Sequence, residues 1–226
     1  MSTRPTGDQI ASVYASSAER ISGLVVRLGS DDLGRTVPST PLWNVRDLLA
    51  HLVGGPADLI AGNLDGVATP TWTQAQVEAR RGHSVAQLLD EWSGMREAID
   101  GVCRSGQLPA ISMDIVTHEQ DINGALGAPS SLDDAALNFA VNGFGARAVK
   151  VAKDAGLELE LTDGDGWSMG APGGATFTAS KFDLVRVMSG RRSGRQVAAM
   201  DWLGDPTPYL DLLSPFGPLG DTDINE

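Results

Sequence analysis

The stretch SMDIVTHEQDI, Ser112 to Ile122, places Asp114 four residues before His118 and Asp121 three residues after it. On a helix, residues three and four apart share a face, with their Cβ atoms about 5–6 Å apart. Asp114 and His118 can therefore offer a carboxylate oxygen and an imidazole nitrogen to one point. The pair has two readings: a hydrogen-bonded Asp–His couple, or two ligands of one ion. The chain holds only three histidines, so the position of the others matters. His51 stands among Leu48, Leu49, Leu52 and Val53, company that puts it at or near a core. If its helix packs with the histidine facing His118, a third ligand joins the pair. Two imidazoles and a carboxylate leave positions open for water or substrate, which is the pattern of a catalytic rather than a closed structural site. Zinc is the default ion for this set, and nickel or ferrous iron share it. Asp121 follows the same face and can hold the imidazole from behind. Glu119 and Gln120 fall off that face and are expected in solvent.

Other residues that could do chemistry carry less. Asp47 is four before His51, but it is also three after Asn44, and reads as a first-turn carboxylate favouring the helix dipole. His83, in ARRGHS, reads as an exposed loop residue. No GxGxxG or Walker sequence occurs. GWSMG has the serine of a GxSxG elbow but follows a turn with no helix after it. Cys103, the single cysteine, has no helix-start or histidine context and reads as a packed thiol. Arg191 and Arg192 close a short helix, where a cation favours the dipole or clamps an anion.

The elements that must position these residues are legible in outline. Apolar residues from about Gln9 to Leu28 recur at helical spacing. A second helix starts at the N-cap Asn44 and meets Gly54-Gly55-Pro56, which predicts a kink or break. A third follows Ser84, whose hydroxyl forms a capping-box pattern with Gln87, and turns Leu88, Leu89, Trp92, Met95 and Ile99 inward. Pro109 opens the fourth, which contains the quoted stretch and ends near Gly124 or Gly127. Ser131 is expected to cap a fifth, Leu132 to Ala155. After Gly156 the texture changes. LELELTDGDGWSMG alternates like a hairpin, GATFTAS like another strand, KFDLVRVMSG like a short helix, RQVAAMDWLG like a last strand and DPTPYLDLL like a helical turn. The tail GDTDINE reads as frayed. The domains expected are residues 1–155, a helical metal-binding domain, and residues 156–226, a small α/β domain.

Bulk composition narrows the function. With 29 acidic residues against 17 basic and a net charge of -12, the surface repels phosphate backbones and anionic membranes, which argues against nucleic-acid binding. No apolar run nears the ~18–20 residues of a membrane span, and the first residues lack a secretory apolar core. These features lead us to expect a cytoplasmic protein, as monomer or homodimer.

The motifs taken together resemble a known family. TPLWNVRDLLAHLVGG is similar to the tryptophan-capped second helix of the DinB-like superfamily, in its mycothiol-dependent maleylpyruvate isomerase branch. MDIVTHEQDINGALGAP resembles a later helix of that branch, and DGWSMG with GATFTASKFDLVRVMSGRR resembles its second domain. The resemblance spans nearly the whole chain in order. It implies an α+β protein: a four-helix bundle followed by a small α/β domain of sterol-carrier shape. It also implies a divalent metal, usually zinc, on His51, Asp114 and His118, with mycothiol, a low-molecular-weight thiol of actinobacteria, as cosubstrate. An arginine of the second domain serves the isomerase site, and Arg191 is its counterpart here. The isomerase has glutamate where this chain has Asp114, so the carboxylate is one methylene shorter and is expected to shift the metal or meet it through water. The implied activity is that of an isomerase or thiol S-transferase on a small electrophilic substrate. The alternative is a non-catalytic protein that holds a lipid or other small molecule in its C-terminal domain.

Overall fold

The computed structural model describes residues 4–152, 155–214 and 216–226. Terminal residues aside, the chain divides into two compact units, Pro5–Leu132 and Asp133–Asn225.

The first unit is built on helices. α1 (Gly7–Val25) starts at Thr6, whose side chain and Gln9 form a reciprocal capping box, and buries Ile10, Val13, Tyr14, Ile21 and Val25. A short turn of helix, α2 (Ser30–Leu33), leads into a two-stranded ribbon, β1 (Thr36–Val37) and β2 (Thr40–Asn44). Asn44 then caps α3 (Val45–Ala61) with Asp47 as its capping-box partner, so Asp47 is a capping carboxylate. α3 runs on through Gly54-Gly55-Pro56 without the expected break. A proline inside a helix forfeits one backbone bond, and packing of a helix as deeply buried as this one outweighs that loss.

α4 (Pro70–Ala79) was not foreseen; Thr69 caps it and Pro70 opens it. The expected third helix is two: α5 (Val85–Gly94), with the predicted Ser84–Gln87 box, and α6 (Arg96–Arg104), parted at Met95. α7 (Ala110–Leu126) ends on Gly127, which takes the left-handed φ of 65° that glycine adopts freely. α1 and α3 both pack on α7, as does β1, so α7 is enclosed nearly all round. That enclosure overturns the solvated placing of Glu119 and Gln120, which are only 2% and 4% exposed. Glu119 accepts from Arg20 Nε at 2.6 Å and from the Ser131 hydroxyl at 2.6 Å.

The second unit begins one helix earlier than the change of texture at Gly156. α8 (Asp134–Ala152) packs on α9 and β4, so the division falls between Leu132 and Asp133 rather than at residue 155. Asp133, not Ser131, caps α8: its Oδ1 accepts the Ala136 N–H at 2.8 Å. The sheet order is β4-β3-β5-β6. β3 (Leu157–Leu161) pairs antiparallel with β4 (Ser168–Gly170) and parallel with β5 (Ala175–Ala179), bringing Leu159 opposite Phe177. β6 (Asp201–Leu203) pairs antiparallel with β5. Inward residues alternate along β5, as one covered sheet face requires. α9 (Lys181–Met188) covers the sheet, and Arg186 is wholly buried in it. The segment expected as a last strand opens instead with α10 (Gly194–Ala198), and a 3-10 turn at Thr207–Tyr209 leads into α11 (Leu210–Leu213). The acidic tail is tied down: Asp223 accepts from Ser193 and Arg195. Helical bundle first, mixed sheet and helices after, the chain is an α+β protein.

Candidate metal centre

α3 and α7 pack against each other and bring His51 and His118 together, with ring centroids 5.1 Å apart in an edge-on arrangement. Asp114, one turn before His118, sits between the rings. Its Oδ2 lies 3.6 Å from His51 Nε2 and its Oδ1 3.5 Å from His118 Nε2. One ligand atom from each residue falls within 4.8 Å of the other two. Donors on a tetrahedral ion with bonds near 2.0–2.2 Å stand roughly 3.3–3.5 Å apart, close to the separations of Asp114 from both rings, so the three side chains fit a small divalent ion. The shorter aspartate still reaches both imidazoles. Half of its side chain faces solvent while both rings are buried, so the cluster opens on the aspartate side.

The back of each ring is held differently. His118 Nδ1 lies 2.9 Å from Oδ2 of Asp121, whose side chain is wholly buried. His51 Nδ1 lies 2.7 Å from Oε1 of Gln76 on α4, and Gln76 Nε2 donates to Asp58 Oδ2 at 2.8 Å. Trp43, at the end of β2, packs a tilted ring on His51 with centroids 5.2 Å apart and donates from Nε1 to Gln74.

Charge follows from this geometry. Burial by itself would lower the His118 pKa, yet Asp114 and then Asp121 outweigh it and push the imidazole up to about 9. Burial would raise the Asp114 carboxyl, but the His118 and His51 rings prevail and hold it far below the usual carboxylate range. Cys103 is a packed thiol, pushed up to about 11 first by burial and then by the charge of Asp100. His83 is part exposed, with Nδ1 3.8 Å from Glu91.

The structure thus brings together His51, Asp114, His118 and Asp121. Arg191 belongs to the other compact unit, just after α9. Its Nη1 donates to the Ser189 carbonyl at 2.6 Å and its N–H to that of Arg186 at 2.7 Å. Gln76 was missed from sequence because α4 was missed, and Asp58, on α3, because its link to the site runs through Gln76. The Thr69-Pro70 pair, an N-cap followed by proline at the first helical position, was the signal that could have found α4 and with it Gln76.

Residues 14–109 match the family described as the mycothiol maleylpyruvate isomerase N-terminal domain. The match takes in His51 and stops before Asp114 and His118. Among solved structures, the chain is similar to a crystal structure of the mycothiol-dependent maleylpyruvate isomerase, with a TM-score of 0.54, 14% identity, and coverage of 83% of this chain and 90% of that one. A histidine-to-alanine mutant of that isomerase superposes with a TM-score of 0.53 at the same identity and coverage. No curated protein sequence matches the chain.

Proposed function

We propose that this chain belongs to the mycothiol maleylpyruvate isomerase family and is a metal- and thiol-dependent enzyme, an isomerase or thiol S-transferase acting on a small electrophilic substrate. The observation that carries the proposal is the convergence of His51, Asp114 and His118 into a ligand set whose two rings are buried and whose aspartate faces solvent. Mycothiol is the proposed thiol, on the strength of the family's name and that of the similar isomerase. Zinc is the proposed ion, because two imidazoles and one carboxylate at tetrahedral spacing are its usual catalytic partners.

A divalent ion held here supplies positive charge that stabilises a bound thiol in its thiolate form at neutral pH. The chain's own residues do the rest. His51 and His118 present Nε2, Asp121 and Gln76 fix the rings, and Asp114 completes the set while leaving its solvent side free for thiol and substrate. His118 must release its proton before its Nε2 can coordinate. For an isomerase of maleylpyruvate type, the thiolate sulfur bonds to one alkene carbon and the alkene electron pair moves into the adjoining carbonyl. Rotation about the resulting single bond and loss of the thiolate give the trans alkene, with no net redox change. Arg191 is the proposed partner of an anionic substrate group, a role supported by its guanidinium chemistry and the family's second-domain arginine.

The deciding experiment is metal analysis of protein purified without a histidine tag, followed by assay with mycothiol and maleylpyruvate. The proposal expects near-stoichiometric zinc, lost in His118→Ala, and thiol-dependent turnover that a chelator abolishes. Absence of bound metal in the wild type, with His118→Ala no different, overturns it.

A further inference from the structure

Gln76 reaches the candidate centre from α4, and nothing in the ligand motifs calls for it. It is 2% exposed, and its two amide ends contact two different groups: Oε1 lies 2.7 Å from His51 Nδ1 and Nε2 donates to Asp58 Oδ2 at 2.8 Å. We infer that Gln76, oriented by Asp58, is the positioning residue that fixes His51 in the tautomer whose Nε2 lone pair faces the ion. The inference rests on the metal reading of the site and extends it to α4.

The chemistry of each group leaves one arrangement. A carboxylate accepts, so Asp58 takes the NH2 end of the amide; Asn63 Nδ2, at 3.3 Å from Asp58 Oδ1, donates to the same carboxylate. The amide oxygen must then face His51. An amide oxygen accepts only, so Nδ1 must carry the ring proton. In a neutral imidazole that leaves Nε2 unprotonated, and Nε2 is the nitrogen 3.6 Å from Asp114 Oδ2. Turning the amide over would set its oxygen against the Asp58 carboxylate, acceptor against acceptor. Asp58 therefore decides the amide, and the amide decides the ring. His51 is 4% exposed, so water competes little for Nδ1. The two ligating rings thus have unlike supports: a buried carboxylate behind His118 and a carboxylate-anchored amide behind His51.

The test reads the ring nitrogens of His51 by 15N NMR in metal-free protein at alkaline pH, where imidazoles are neutral. Zinc affinity by chelator competition is the second readout. In wild type the proton is expected on Nδ1. Gln76→Met and Asp58→Leu are expected to move proton population toward Nε2 while His118 keeps its own pattern. Zinc affinity should fall by about 10–100-fold in Gln76→Met, the range for outer partners of ligating histidines. The double variant Gln76→Glu with Asp58→Asn, which keeps an acceptor oxygen toward His51 and puts an amide donor behind it, should hold the proton on Nδ1. The inference is overturned if Gln76→Met leaves both the His51 nitrogens and the zinc affinity as in wild type, or if the Gln76→Glu/Asp58→Asn variant loses the Nδ1 proton. Should wild type bind no zinc, the metal reading fails, and the metal-free spectra still decide whether Gln76 sets the tautomer.

Discussion

Gly54 on α3 lies so close to Gln76 on α4 that a Cβ on the glycine would stand 2.5 Å from the Gln76 Cβ and 2.8 Å from Arg80 Nη1. No real pair of such atoms approaches that closely. The missing side chain at Gly54 is what lets α4 come near enough for its amide to reach His51, one turn earlier on α3.

Replacing that glycine should therefore reverse the usual sign. Alanine in a helix interior ordinarily gains about 0.5–1 kcal/mol over glycine. At Gly23 on α1, where an added Cβ meets nothing within 4 Å, Gly23→Ala is expected to stabilise by about that amount. At Gly54 the collision dominates, and Gly54→Ala is expected to destabilise by about 1–3 kcal/mol. Urea unfolding of both variants checks the pair; a stabilised Gly54→Ala would refute the packing account.

Much of this arrangement is legible in the residues themselves. Asn44 and Asp47 announce the start of α3, Ser84 and Gln87 that of α5, and Gly127 the end of α7, because capping chemistry is local. The 114/118/121 spacing is likewise a property of one helix. Harder to read are features decided by what packs alongside. Glu119 carries a charge and so suggests solvent, yet α1 covers that side of α7 and supplies Arg20 to meet it. Gly54-Gly55-Pro56 suggests a break, yet α3 is buried from Leu48 through Pro56 itself. Gln76 has no motif, since its role exists only once α3 and α4 are in contact.

Glu119 allows a direct check of that point. Glu119→Gln removes the charge partner of Arg20 and keeps the shape. Arg20 is a quarter exposed, so solvent compensates in part, and a loss of about 1–3 kcal/mol is expected, the cost of an unsatisfied buried group. Zinc affinity should not change, because Glu119 bonds to α1 and Ser131 rather than to the cluster. Denaturant unfolding with parallel chelator competition separates the two effects.

The charge state of the cluster gives a pH signature in metal-free protein. His118 has its folded pKa raised to about 9, so the stability it contributes is complete below its unfolded value of about 6.5 and fades as pH rises through 9. Asp114 is held low, so its contribution is present above the ordinary carboxylate range and goes only as pH falls below it. The melting temperature of wild type should exceed that of Asp114→Asn most between about pH 4.5 and 6.5, and the gap should narrow toward pH 9. Zinc affinity should run the other way, rising with pH as His118 gives up its proton. A melting-temperature gap that stays constant from pH 6 to 9 would contradict the assignment.

Asp114 itself is the sharpest test of the centre. Its two oxygens lie at nearly equal distances from the two Nε2 atoms, and half of its side chain faces solvent. Asp114→Asn keeps the shape and one oxygen but removes the charge that offsets the ion. Outer partners alone are worth about 10–100-fold in affinity, so loss of a ligating charge should cost more than about 100-fold in zinc binding. Asp114→Glu keeps the charge and adds one methylene, for which the solvent side leaves room. Its zinc affinity should stay within about tenfold of wild type, a difference of about 1.4 kcal/mol. Thiol-dependent turnover should follow geometry more closely than affinity does, because a shift of about 1 Å in a reacting group can cost about 100-fold in rate. Chelator competition on all three proteins checks the order wild type, Glu, Asn. If Asn binds zinc as well as Glu does, Asp114 is not a ligand, and the two histidines must draw their third partner from elsewhere.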